Sequence, residues 1–133
     1  MSKRVGILAV LGAMAGLVLM GARLFFVEDV SAERGTASFY FYVPSITRAI
    51  PTPGLVGDAS YYATMGDGAK PPMSAVDFRT SDDPDAVMET ILAYFRQEGF
   101  AESAEGKLER PGEYLEIVRH GDRLQVTVVE RVE

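Results

Sequence analysis

The run from Val5 to Ala22, VGILAVLGAMAGLVLMGA, constrains this chain more than any other stretch. It holds no charge, amide or hydroxyl, and it lies between Lys3-Arg4 and Arg23. As a helix it would reach ~27 Å, close to the ~30 Å hydrocarbon core of a bilayer. Adding Leu24 to Val27, with Arg23 snorkelling, extends it to about 35 Å. The run therefore predicts a transmembrane helix: residues 1–27 as anchor, 28–35 as linker, and 36–133 as a folded domain. A cleaved signal is the competing reading. Its apolar core would be shorter, and the nearest small-x-small site, Val30-Ser31-Ala32, lies beyond Arg23, Glu28 and Asp29. Lys3, Arg4 and the amino terminus outweigh Arg23 and Arg34, which places the C-terminal domain outside the cytoplasm. The expected localisation is the inner (cytoplasmic) membrane, single-pass, with a periplasmic domain. Ala9, Gly12, Ala13 and Gly16 share one face of the run, a small-residue strip suited to close contact with another helix.

Charge and composition narrow the function. The chain has 13 Lys+Arg and 19 Asp+Glu; three and two of these precede Glu33, leaving ten against seventeen, a net −7. Such a domain is repelled by nucleic acid, so no nucleic-acid partner is expected. There is no cysteine, which excludes disulfides, thiolate nucleophiles, thiolate metal sites and a lipoprotein anchor.

After the linker, Thr36–Val43 (TASFYFYV) reads as an aromatic strand, with Phe39 and Phe41 on one face and Tyr40 and Tyr42 on the other. Three prolines between Pro44 and Gly54 exclude a long helix there. Ala59–Met65 and Ala75–Thr80 read as further strands, the second with Val76 and Phe78 opposite Asp77 and Arg79. Between them, GDGAKPPM at 66–73 is a connector, since neither a phosphate-loop nor a calcium-loop pattern follows its Gly-Asp-Gly.

The helix is the best-marked element. Asp83 fits the N-cap and Pro84 the first helical position. Asp82, Asp83 and Asp85 suit the positive end of the helix dipole and need no metal to explain them. Val87, Met88, Ile91, Leu92 and Phe95 form one apolar stripe, and Gly99-Phe100 fits a Schellman ending closed on Phe95. A short strand at Lys107–Glu109 follows. Glu113–Arg119 and Arg123–Arg131 then form a hairpin turned at His120-Gly121-Asp122. The expected fold class is α+β: an N-terminal transmembrane helix, then a small antiparallel sheet of four or five strands with one helix packed on one face.

Thr52-Pro53-Gly54, VDFRTSDDPDAVMETILAYFRQEGF and EIVRHGDRLQVTVVE together resemble a class of small, largely uncharacterised bacterial envelope domains. These pair a Pro-Gly segment with a TSDxP helix start, a helix ending in Gly-aromatic and a closing hairpin. They commonly follow a lipoprotein signal or a single membrane helix. The resemblance covers about residues 50–130 and implies no enzymatic activity. This chain departs from it with Thr52 in place of tyrosine, no lipobox cysteine and the added aromatic stretch at 36–43.

No catalytic constellation emerges. The single histidine, His120, falls in a turn, and neither Lys70 nor Lys107 lies near a nucleophile elbow. No catalytic, cofactor-binding or metal-ligating residue is expected, and no enzyme. The leading expectation is a non-catalytic accessory or assembly subunit of a larger integral membrane protein complex, held through the helix or self-associated through it. The alternative is an anchored or secreted binding module for a small ligand or peptide. Tyr40, Tyr42, Tyr61 and Tyr62 are its candidate partner surface.

Overall fold

The computed structural model describes residues 29–131. They form one antiparallel sheet of seven strands: β1 (Asp29–Glu33), β2 (Leu55–Thr64), β3 (Met73–Thr80), β4 (Ala101–Glu102), β5 (Leu108–Arg110), β6 (Glu113–His120) and β7 (Arg123–Glu130). The spatial order is β1-β2-β3-β7-β6-β5-β4. Three helices accompany it: α1 (Ala37–Tyr42), α2 (Ser45–Arg48) and α3 (Pro84–Gln97).

One face of the sheet is apolar and covered. Ala59 and Tyr61 of β2, Val76 and Phe78 of β3, Leu115 of β6, and Leu124, Val126 and Val128 of β7 are buried with Val87, Ile91 and Phe95 of α3. Phe39 of α1 joins them, its ring edge-on to Tyr61 at 4.7 Å between centroids. The Tyr94 hydroxyl of α3 donates to the Ile46 carbonyl of α2 at 2.7 Å, tying the two helices together. Polar groups drawn into this layer are satisfied: Thr47 and Ser74 share a 2.6 Å hydrogen bond, and Arg34 donates to the Tyr61 hydroxyl at 2.8 Å. Among the described residues no buried side-chain nitrogen or oxygen lacks a partner.

The ends of α3 follow the sequence grammar. The Asp83 carboxylate accepts from the Asp85 amide, and Pro84 takes the first position. At the other end the Gly99 amide bonds the Arg96 carbonyl, and the Phe100 amide bonds the Phe95 carbonyl, which is the Schellman pattern. Gly99 sits at φ +91°, a left-handed conformation that a side chain disfavours. Phe100 then meets Phe95 edge-on at 5.1 Å. The Thr52-Pro53-Gly54 segment is structural as well. A side chain at Gly54 would collide with Asp82, and the Gly54 carbonyl accepts from the Ser81 amide.

Four expectations are corrected. The fold is mostly β, a seven-stranded antiparallel sheet with a few short helices, and not an α+β domain of four or five strands. The strands not expected are the two-residue β4 and β1, which the expected linker at 28–35 supplies, while β5 falls at the short strand expected at 107–109. The aromatic stretch at 36–43 is a helix and not a strand. Its Phe/Tyr alternation is not an alternation of polarity, so it never distinguished period 2 from a helical turn. Thr36 caps α1 by accepting from the Phe39 amide, and Pro44 follows its end.

The fourth correction concerns localisation. Among the described residues no helix is long and apolar enough to cross a membrane. The longest, α3, has 14 residues and carries Asp85, Glu89 and Arg96. The single-pass inner-membrane assignment, with its transmembrane helix, is corrected on that finding. The run 5–22, including Ala9, Gly12, Ala13 and Gly16, lies outside the described residues.

Candidate functional site

The second face of the sheet has no helix over it among the described residues, and strand register orders its side chains in rows. One row is Glu33, Ser60, Asp77, Gln125 and Val118. The next is Ser31, Tyr62, Ala75, Thr127 and Glu116. A third is Asp29, Thr64, Met73, Val129 and Tyr114. Arg79, Arg123 and His120 close the far end. Hydroxyls, amides and charges dominate, where the opposite face is aliphatic and aromatic. The cause is the two-residue period of a strand: successive side chains point to opposite faces, register keeps each set on its own side, and polar residues predominate on this one despite Met73, Ala75 and Val129.

A groove of about 410 Å³ lies across β1, β2, β3 and β7 on this face. Ala75 forms its floor because a methyl group leaves a gap between larger neighbours. Ser31, Glu33, Ser60, Tyr62, Asp77 and Gln125 supply the walls. Tyr62 donates to the Asp29 carboxylate at 2.7 Å. That hydrogen bond, with one from Thr64, holds the Asp29 carboxyl below its ordinary value, and the same bond to Asp29 pushes the Tyr62 phenol up. Asp29 is therefore anionic at neutral pH. Arg123 forks onto Asp77 at 2.6 and 2.9 Å, which raises the Arg123 value, and Arg79 forks onto Asp122 at 3.1 and 2.7 Å. Asp122 is lowered by that bond to Arg79. The guanidinium groups thus neutralise one end of the face, while the β1 end keeps Asp29 and Glu33.

The four expected surface tyrosines do not form one surface. Tyr61 is a core residue at 1% exposure, and Tyr62 lies on the opposite face of the same strand. Tyr40 and Tyr42 are on α1. Tyr40 is 61% exposed and Phe41 81% exposed, with the Arg48 guanidinium 5.6 Å from the Tyr40 ring. Of the four, Tyr61 and Tyr62 border the groove, Tyr61 from its core position and Tyr62 from the uncovered face, and Tyr40 and Tyr42 do not. Sequence reasoning missed Ser31, Glu33, Ser60 and Gln125. The alternation that set Asp77 and Arg79 opposite Val76 and Phe78 was the available signal for this face.

The groove offers hydrogen bonds and charge but no reactive pair. Neither Ser31 nor Ser60 is hydrogen-bonded to a histidine, lysine or carboxylate among the described residues, and His120 sits at the exposed hairpin end. No group of three or more potential metal-ligating side chains is present among the described residues. Of the three aspartates at the start of α3, Asp83 caps it and Asp85 pairs with Arg119 at 2.5 Å, while the Asp82 amide donates to the Thr80 hydroxyl. No family model, curated protein or solved structure matches this chain.

Proposed function

We propose that the domain is a non-catalytic binding module that takes a peptide segment or protein partner on the uncovered face of its sheet, as an accessory subunit would. The observation that carries this reading is the Ala75-floored groove. It is lined by donors and acceptors, it is uncovered among the described residues, and it lies opposite a complete core. Folding needs one buried face, which the helices provide. The second face is free to carry contacts, and its mixture of Tyr, Gln, Ser and carboxylates supports specific polar recognition more than catalysis.

A photo-reactive residue tests the reading in cells. Placed at Gln125, in the groove, it is expected to cross-link the full chain to a discrete partner. Placed at Ala93, on the exposed side of α3, it is expected to give no such product. The same partner from both positions, or none from Gln125, would contradict the proposal.

A further inference from the structure

We infer that the outer edge of β1 receives a short basic strand from the partner, adding an eighth strand to the sheet. This inference rests on the binding-module reading and names the chemistry of the partner.

β1 is the last strand on its side: β2 pairs with one edge, and among the described residues nothing pairs with the other. Every second residue of an edge strand directs its amide and carbonyl outward, so five residues offer a short ladder. The side chains beside that ladder are sorted by face. Asp29, Ser31 and Glu33 stand on the uncovered face, in register with Thr64, Tyr62 and Ser60. Val30 and Ala32 stand on the helix-covered face, and both belong to the core or pack on it. α1 lies on that side of β1 and leaves Tyr40 and Phe41 exposed.

Charge decides what can occupy the edge. A second copy of β1 paired antiparallel about Ser31 would place Asp29 opposite Glu33 twice, and like charges directly across a ladder repel. The edge thus guards against self-pairing. The same two carboxylates attract a strand with basic residues four apart. No cationic partner for Glu33 is found among the described residues, and Asp29 is anionic. The net charge of −7 from Glu33 onward steers cationic segments towards the domain. The complementary occupant is an extended segment of the pattern basic–apolar–polar–apolar–basic. Its basic side chains meet Asp29 and Glu33, and its apolar ones extend the row of Val30 and Ala32 beside α1.

The probe is a labelled peptide, Lys-Val-Thr-Val-Lys with neutral capped ends, titrated into the full chain by fluorescence anisotropy. Three controls separate the causes. Glu-Val-Thr-Val-Glu has the strand pattern with the wrong charge. Lys-Val-Pro-Val-Lys has the charge but cannot complete the ladder. The double variant Asp29→Lys/Glu33→Lys reverses the edge.

The expected result is saturable binding of the lysine peptide, with slowed amide exchange in β1 and not in β5. The glutamate and proline peptides should bind at least about tenfold more weakly. The reversed variant should exchange the preferences of the lysine and glutamate peptides. Equal binding of the lysine and proline peptides would mean charge attraction without strand addition, and would overturn the inference. So would failure of all peptides. In that case a discrete cross-link from Gln125 would leave the binding-module reading standing, and loss of that cross-link would remove both.

Discussion

The two faces of the sheet are built from the same strands and differ in almost every physical respect. On the covered face Val76, Phe78, Leu124 and Val126 are fully buried and pack against Ile91 and Phe95. On the uncovered face their chain neighbours are polar: Arg123 pairs with Asp77, Arg79 pairs with Asp122, and Gln125 lines the groove. The lesson is a division of labour within single strands. Burial is concentrated in one set of alternate residues, and the other set is left to carry the recognition proposed above.

The sharpest way to break that comparison is on the covered side. Phe95 is fully buried and touches Tyr94 and Phe100 edge-on. Phe95→Ala is expected to cost about 3–5 kcal/mol through lost burial and a residual cavity. Urea melts of the full chain check this, and an unchanged midpoint would remove the helix stripe from the core. The Schellman turn that brings Phe100 over Phe95 is next. Nothing lies within 4 Å of a side chain added at Gly99, so Gly99→Ala tests backbone conformation alone at φ +91°. Its expected cost is about 1–2 kcal/mol, read from the same melts.

The uncovered face should respond far less. Asp77→Ala removes a forked ion pair whose arginine side chain is 60% exposed and whose aspartate is 28% exposed. Solvent screening limits the cost to under about 1 kcal/mol. A melt displaced as far as that of Phe95→Ala would erase the distinction between the faces. The smallest effect concerns Asp29. Its folded-state value is lowered by the Tyr62 hydrogen bond, so its contribution is complete above the ordinary value of 3.8 and fades as pH falls below that. Amide exchange in β1, corrected for intrinsic rate, is expected to hold steady relative to β7 above pH 3.8 and to quicken as pH falls below it. Parallel behaviour of the two strands would contradict the Tyr62–Asp29 tie.

Elements with two independent signals were legible in the sequence. α3 had a cap, an apolar stripe and a glycine stop, and its structure matches them residue by residue. The β6–β7 hairpin had alternation on both arms and a Gly-Asp turn. Elements with one ambiguous signal were not legible. FYFY at 39–42 satisfies either period, and only the Thr36 cap and Pro44 reveal the short α1. Asp29–Glu33 has a polar alternation but just five residues beside the apolar run, too short a pattern to distinguish β1 from a linker. The candidate face suffered from that omission: without β1, neither Ser31 nor Glu33 has a place, and the groove has no outer wall. Tyr61 and Tyr62 illustrate the remaining difficulty. Adjacent tyrosines look alike in sequence, yet strand geometry sends one to the core and the other to the groove.

The central claim is that the uncovered face serves recognition and not stability, and one variant tests it most directly. Ser60→Arg with Gln125→Arg fills the groove with bulk and charge while leaving every covered-face residue in place. Its urea midpoint and the yield of partner cross-linked through a photo-reactive residue at Ser31 are measured together in the full chain. The account predicts a midpoint close to wild type and a cross-link reduced to background. A retained cross-link, or a midpoint lowered as far as that of Phe95→Ala, would contradict it.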